Sequence, residues 1–157
     1  MNTKNQRSDK ASRLISATAD NVYNAFASAT SVMQWLPPDG MIGRALEYDF
    51  TEGGYYRIEL RYKDPTARGK STSTSDVSTG RFIELVPNRL IKQSVVFESG
   101  DPVFSGEMVI TWSFDTELNG TRAAVVAENV PTGITEADHQ TGLNSSLSNL
   151  ASFVELK

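Results

Sequence analysis

The sequence predicts an α+β domain: an antiparallel β-sheet wrapped around a long C-terminal helix, with two short helices after the first strand. Three observations carry this expectation. Leu143, Leu147, Leu150 and Val154 recur at spacings of four, three and four, one apolar stripe of an amphipathic helix of roughly 20 residues and about 30 Å. The stretch before it is patterned almost wholly as strands joined by short turns, and short turns favour antiparallel pairing because parallel strands need longer crossovers. Pro37-Pro38 divides the short helical pieces from those strands, since neither proline can continue a helix.

The elements follow in order. Residues 1–10 are polar and expected to form a flexible tail ahead of a single domain over 11–157. Ser12 to Ser16 is extended. Asp20 is placed to cap a helix carrying Val22, Tyr23, Phe26 and Ala29, and a second short helix runs from Ser31 to Leu36. After the Asp39-Gly40 turn, strands are predicted from Ala45 to Phe50 and from Tyr55 to Tyr62. In the latter, Tyr56, Ile58, Leu60 and Tyr62 alternate with Tyr55, Arg57, Glu59 and Arg61, which reads as one buried and one wet face. Asp64 to Thr79, with Pro65, Gly69 and the run KSTSTSD, reads as a mobile polar loop near the sheet edge. A hairpin joins Gly80–Val86 to Leu90–Phe97 around Pro87-Asn88. Another joins Met108–Asp115 to Thr121–Val130 around Asn119-Gly120. Pro131 to Gly133 breaks the chain before the final helix, Glu136 to Leu156.

Composition narrows the function classes. At 157 residues the chain fits one domain, which at this size buries about 70% of its unfolded surface. A net charge of −4, with 15 scattered basic residues, argues against a nucleic-acid face, where phosphate neutralisation needs clustered Lys and Arg. Without cysteine there are no disulfides, thiolate nucleophiles or Cys-based metal sites. With one histidine, a metal would depend on carboxylates, so neither metal nor cofactor is expected. The opening MNTKNQRSDK lacks the apolar core of a signal peptide and no apolar run approaches ~18 residues; a cytoplasmic protein without membrane contact is expected.

Candidate site residues come from the strand rows and the last helix. Trp112 shares its alternation with Met108, Ile110 and Phe114. That row and the Tyr56–Ile58–Leu60–Tyr62 row either line a cavity with Leu143, Leu147 and Phe153 or fill an ordinary core. Trp35 either stacks on a planar ligand at the cavity entrance or packs the short helices onto the sheet. His139, in the first turn of the long helix, suits hydrogen bonding or acid/base work because histidine ordinarily titrates near neutrality; the other reading is a surface or capping residue. Glu84 and Glu107 each interrupt an apolar strand. A carboxylate turned into a cavity would be desolvated and could anchor a ligand, whereas an outward one would be solvated, as Arg57, Glu59 and Arg61 are expected to be. There is no Gly-rich phosphate loop, no GxSxG elbow and no His/Glu metal motif. Ser71, Ser73 and Ser75 have no base nearby in sequence. No catalytic residue is assigned.

Five stretches in order carry a family resemblance: SATADNVYNAFASATSVMQWLPP, FTEGGYYRIEL, TGRFIELVPNRLI, ITWSFDTELNGTRAAVVAENV and HQTGLNSSLSNLASFVE. From about Ser12 to Glu155 the chain resembles the helix-grip fold of START-type lipid-binding proteins and birch-pollen-allergen proteins. Within that SRPBCC superfamily it looks most like the branch named after the activator of the heat-shock protein 90 ATPase. The resemblance implies a hydrophobic cavity between helix and sheet. It does not imply one reaction, since the fold hosts binding proteins, cyclases and co-chaperone domains. One departure stands out: the family often carries a large aromatic just after the glycine near the start of the last helix, and this chain has Leu143, which reshapes that end of the cavity.

The expected function is binding of a small apolar or aromatic molecule by a monomer or homodimer, with Trp35, Tyr56, Ile58, Glu84, Trp112, His139, Leu143 and Leu147 as cavity candidates. The alternatives are a co-chaperone-like module with a chaperone as partner, and a cavity enzyme of cyclase, dehydratase or hydrolase type acting on an aromatic or polyketide-like substrate.

Overall fold

A computed structural model describes residues 7–64, 66, 70, 72 and 74–155. The first six residues of the expected tail, Pro65, Gly69, Ser71 and Ser73 of the expected loop, and Leu156 lie outside the described residues. The architecture is α+β, an antiparallel sheet with a long C-terminal helix and short helices, as the sequence predicts. Its seven strands are β1 (Ser8–Ile15), β2 (Met41–Tyr48), β3 (Tyr55–Tyr62), β4 (Ser75–Val86), β5 (Leu90–Phe97), β6 (Met108–Glu117) and β7 (Gly120–Glu128). They pair in the order β1-β7-β6-β5-β4-β3-β2, every pair antiparallel.

The helices sit where local chemistry starts and stops them. The first, α1 (Ala19–Asn24), is capped by Thr18, whose hydroxyl accepts from the Asn21 amide; Asp20, the cap the sequence suggests, lies inside the first turn. The second, α2 (Ala29–Trp35), begins earlier than predicted because Ser28 caps it through the Ser31 amide. The last, α3 (Glu136–Glu155), buries Leu143, Leu147, Leu150 and Val154. No helix among the described residues is long and apolar enough to cross a membrane.

Two boundaries differ from expectation for the same reason. Ser8 to Lys10, placed by sequence in the tail, pair with Glu128, Ala127 and Val126 of β7. Ser75 to Thr79, placed in a loop, pair with β3. Strand pairing is made by backbone groups, so a polar segment can join a sheet without any apolar signature. In β1 only Asp9 and Ile15 are buried.

Two ties set α3 along β1. His139 Nδ1 lies 2.7 Å from Asp9 Oδ2, and the Ser16 amide donates to Glu155 Oε2 at 2.9 Å. The ties are seven residues apart on the strand side and sixteen on the helix, about 23 Å and about 24 Å at their respective rises. The two lengths agree, so α3 lies alongside β1 in the same direction.

Candidate functional site

A pocket of about 650 Å³ lies between the inner face of the sheet and α3. Alternation along the strands delivers its walls, because side chains two apart share a face: Tyr56, Ile58, Leu60 and Tyr62 from β3, Gln93, Val95 and Phe97 from β5, and Met108, Ile110 and Trp112 from β6. The α1–α2 segment adds Phe26, Val32 and Trp35, and α3 adds His139, Leu143 and Ser146.

One end of the pocket is an aromatic cluster. Phe26 meets Trp35 at 4.7 Å and Trp112 at 5.1 Å between ring centroids, and the two tryptophans lie 5.8 Å apart. All three contacts are edge-to-face, the arrangement that ring quadrupoles favour. Trp35 therefore packs the short helices onto the sheet, the second of the two readings, and its side chain also lines the pocket.

Three aromatic polar handles at the pocket are consumed by backbone. Trp35 Nε1 donates to the Ala25 carbonyl at 2.9 Å, the Tyr48 hydroxyl to Phe26 at 2.6 Å, and the Tyr56 hydroxyl to Ser94 at 2.5 Å. Burial pushes the Tyr48 and Tyr56 phenols far above their ordinary value, because a phenolate there would lose its hydration. Tyr62 is raised by burial and by the nearby charges of Asp76 and Asp138. Gly80 makes the Tyr56 bond possible: a Cβ there would lie 1.8 Å from the Ser94 oxygen and 2.7 Å from the Tyr56 hydroxyl. Lys70 and Asp76, also at the pocket, satisfy each other at 2.8 Å, with the ammonium over the Phe97 and Phe104 rings.

His139 is held differently. Its Nδ1 contacts Asp9 Oδ2, and the same oxygen accepts from Arg7 Nη2 at 3.1 Å. The Asp9 side chain is 1% exposed, and its Oδ1 has no hydrogen-bond partner among the described residues. Sequence reasoning missed Asp9 because it sits among polar neighbours at the start of the chain.

Of the sequence candidates, Trp35, Tyr56, Ile58, Trp112, His139 and Leu143 come together around the pocket. Leu147, one helical turn beyond Leu143, is buried in the core and does not line it. Glu84 is exposed and does not reach it. A register shift between Phe82 and Glu84 breaks the alternation that would have turned both inward. Glu107 is exposed in the turn before β6, where its carbonyl accepts from Asn129.

An antiparallel sheet with a long helix set against it and a pocket between them defines a helix-grip domain. The family model described as Activator of Hsp90 ATPase homolog 1-like protein matches residues 16–155, and the chain belongs to that family. A solved structure of a protein from Chromobacterium violaceum is 28% identical with a TM-score of 0.84, covering 94% of this chain and 96% of that one. An AHSA1-like protein from Aeromonas hydrophila (19% identical, TM-score 0.71, 96% and 93% covered) and a protein from Rhodobacter sphaeroides (16%, 0.77, 99% and 96%) share the fold. No curated protein matches the chain.

Proposed function

We propose that this protein binds a small, mainly apolar molecule with a flat aromatic body in the pocket between the sheet and α3. The supporting observation is the pocket itself: about 650 Å³, within the range of small-molecule sites, walled by aromatic and aliphatic side chains, with the Trp35 indole and the Tyr48 and Tyr56 phenols already bonded to backbone. Affinity would come from burial, at about 25 cal/mol per Å² of apolar surface before the cost of association.

Native mass spectrometry of the purified protein, followed by denaturing extraction, tests this reading and reads the oligomeric state in the same spectrum. A reproducible small molecule travelling with the protein supports it. Titration with added aromatic probes is the second arm, because both tryptophans of the chain line the pocket and report on it by fluorescence. No co-purifying molecule and no probe response would overturn it.

A chaperone partner is the second reading, suggested by the family description and by Ile42, 60% exposed on edge strand β2. It predicts retention of an Hsp90-type chaperone in a pull-down at micromolar concentration. No retention would end it.

A further inference from the structure

Gln93, Ser78, Asp39, Asp138, Tyr62 and the Trp112 indole contribute polar groups to the pocket lining. Beyond the spent aromatic handles, Ser146 Oγ donates to the Leu36 carbonyl at 2.8 Å and Thr141 Oγ1 to Ala137 at 3.0 Å. Lys70 is neutralised by Asp76. His139 stands apart, because the partner of its Nδ1 belongs to the protein's interior rather than to the pocket: His139 lines the pocket and Asp9 does not.

The charges around the pair determine how the imidazole is used. Asp9 Oδ2 is held as an acceptor by the Arg7 guanidinium, so the imidazole meets it as a donor, through Nδ1–H. In the neutral ring, Nδ1–H donation leaves the lone pair on Nε2. No hydrogen bond to Nε2 is found among the described residues, and His139 is one of the residues lining the pocket. Burying Asp9 with one oxygen unpartnered carries a desolvation cost that its bonds to Arg7 and His139 must offset.

We propose that Asp9 is a positioning residue that holds His139 as the pocket's hydrogen-bond acceptor, and that the ligand is a neutral aromatic or enolic molecule with an acidic O–H donating to His139 Nε2. This rests on the pocket-binding reading above and adds the ligand's chemical class. Carboxylic acids fit poorly. Ionised, they would set an anion against a lone pair, with Asp138 in the same helical turn and Asp9 behind the ring.

The test uses two probes of nearly equal shape, 2-naphthol and 2-methoxynaphthalene, with the full chain. The acceptor role predicts that 2-naphthol binds about tenfold more tightly, the worth of roughly one net hydrogen bond. His139→Leu should erase that preference, bringing the two affinities to within about twofold of each other. Asp9→Asn should reduce the preference and shift the tautomer. Because the chain has a single histidine, long-range ¹H–¹⁵N correlation reads its tautomer without assignment work, and needs no variant. Nδ1 should be protonated, and the Nε2 resonance should move with 2-naphthol and not with the ether. Equal affinity for the two probes, or an Nε2–H tautomer, overturns the acceptor role and leaves pocket binding standing. Binding of neither probe overturns both.

Discussion

His139 Nδ1 lies 2.7 Å from Asp9 Oδ2, across 130 residues of sequence. The contact joins the first strand to the first turn of the last helix, and it turns a lone histidine into an oriented one. Its partner is not in the pocket wall but behind it, which is why the ring has a free face.

Asp9→Ala is expected to destabilise the fold by about 2 kcal/mol, since hydrogen bonds to a charged group are each worth roughly 1.5–3 kcal/mol. Urea unfolding checks it: the midpoint should fall with the slope unchanged. An unchanged midpoint would mean that the desolvation of Asp9 cancels its bonds.

Leu143→Trp restores a bulky aromatic at a position that lines the pocket. The substitution is expected to weaken binding of 2-methoxynaphthalene at least about tenfold by occupying its space, with the melting temperature held or raised because a void is filled. Fluorescence titration and thermal unfolding measure the two effects. Undiminished binding would place the probe elsewhere.

Two glycines should respond in opposite senses to alanine. At Gly80 a Cβ would press into the Ser94 carbonyl backbone, and the cost is expected to be about 3 kcal/mol or more. At Gly142, on α3, nothing lies within 4 Å of the added carbon, so alanine should stabilise by about 0.5–1 kcal/mol through helix propensity. Equilibrium unfolding of the two variants side by side tests the contrast.

Alkaline stability follows from Tyr48 and Tyr56. Both are raised from an ordinary value of 10.0 by burial, so the folded state keeps the neutral phenol where the unfolded chain would ionise it. That contribution is complete below pH 10 and is lost progressively as pH rises above it. Absorbance titration of the native protein should show these two phenols ionising only together with loss of secondary structure. Reversible ionisation of all five tyrosines in a folded protein would contradict this.

The helix and the strand rows were legible because periodicity reports directly on which face is covered: Leu143 to Val154, Tyr56 to Tyr62 and Met108 to Trp112 all occupy the faces their spacing implies. Two failures share a cause. Alternation makes no provision for a bulge, so it cannot decide between the inward and outward readings of Glu84, and the register shift turns it outward. It also says nothing of polar strands, so Asp9 reads in sequence as part of a tail. The pairing of Asp9 with His139 depends on how α3 lies along β1, a tertiary fact that no local pattern carries. A buried carboxylate in a polar stretch looks, in sequence, like any surface residue.

The ties between β1 and α3 also have a bearing on biosynthesis. The element that supplies Asp9 leaves the ribosome well before the one that supplies His139. Until α3 emerges, the inner sheet face lacks the cover that α3 gives it, and the buried Asp9 carboxylate lacks its histidine partner. Contacts so distant along the chain also form slowly, so the pocket should be completed only once α3 has emerged and docked, as the closing event of folding rather than a nucleus for it.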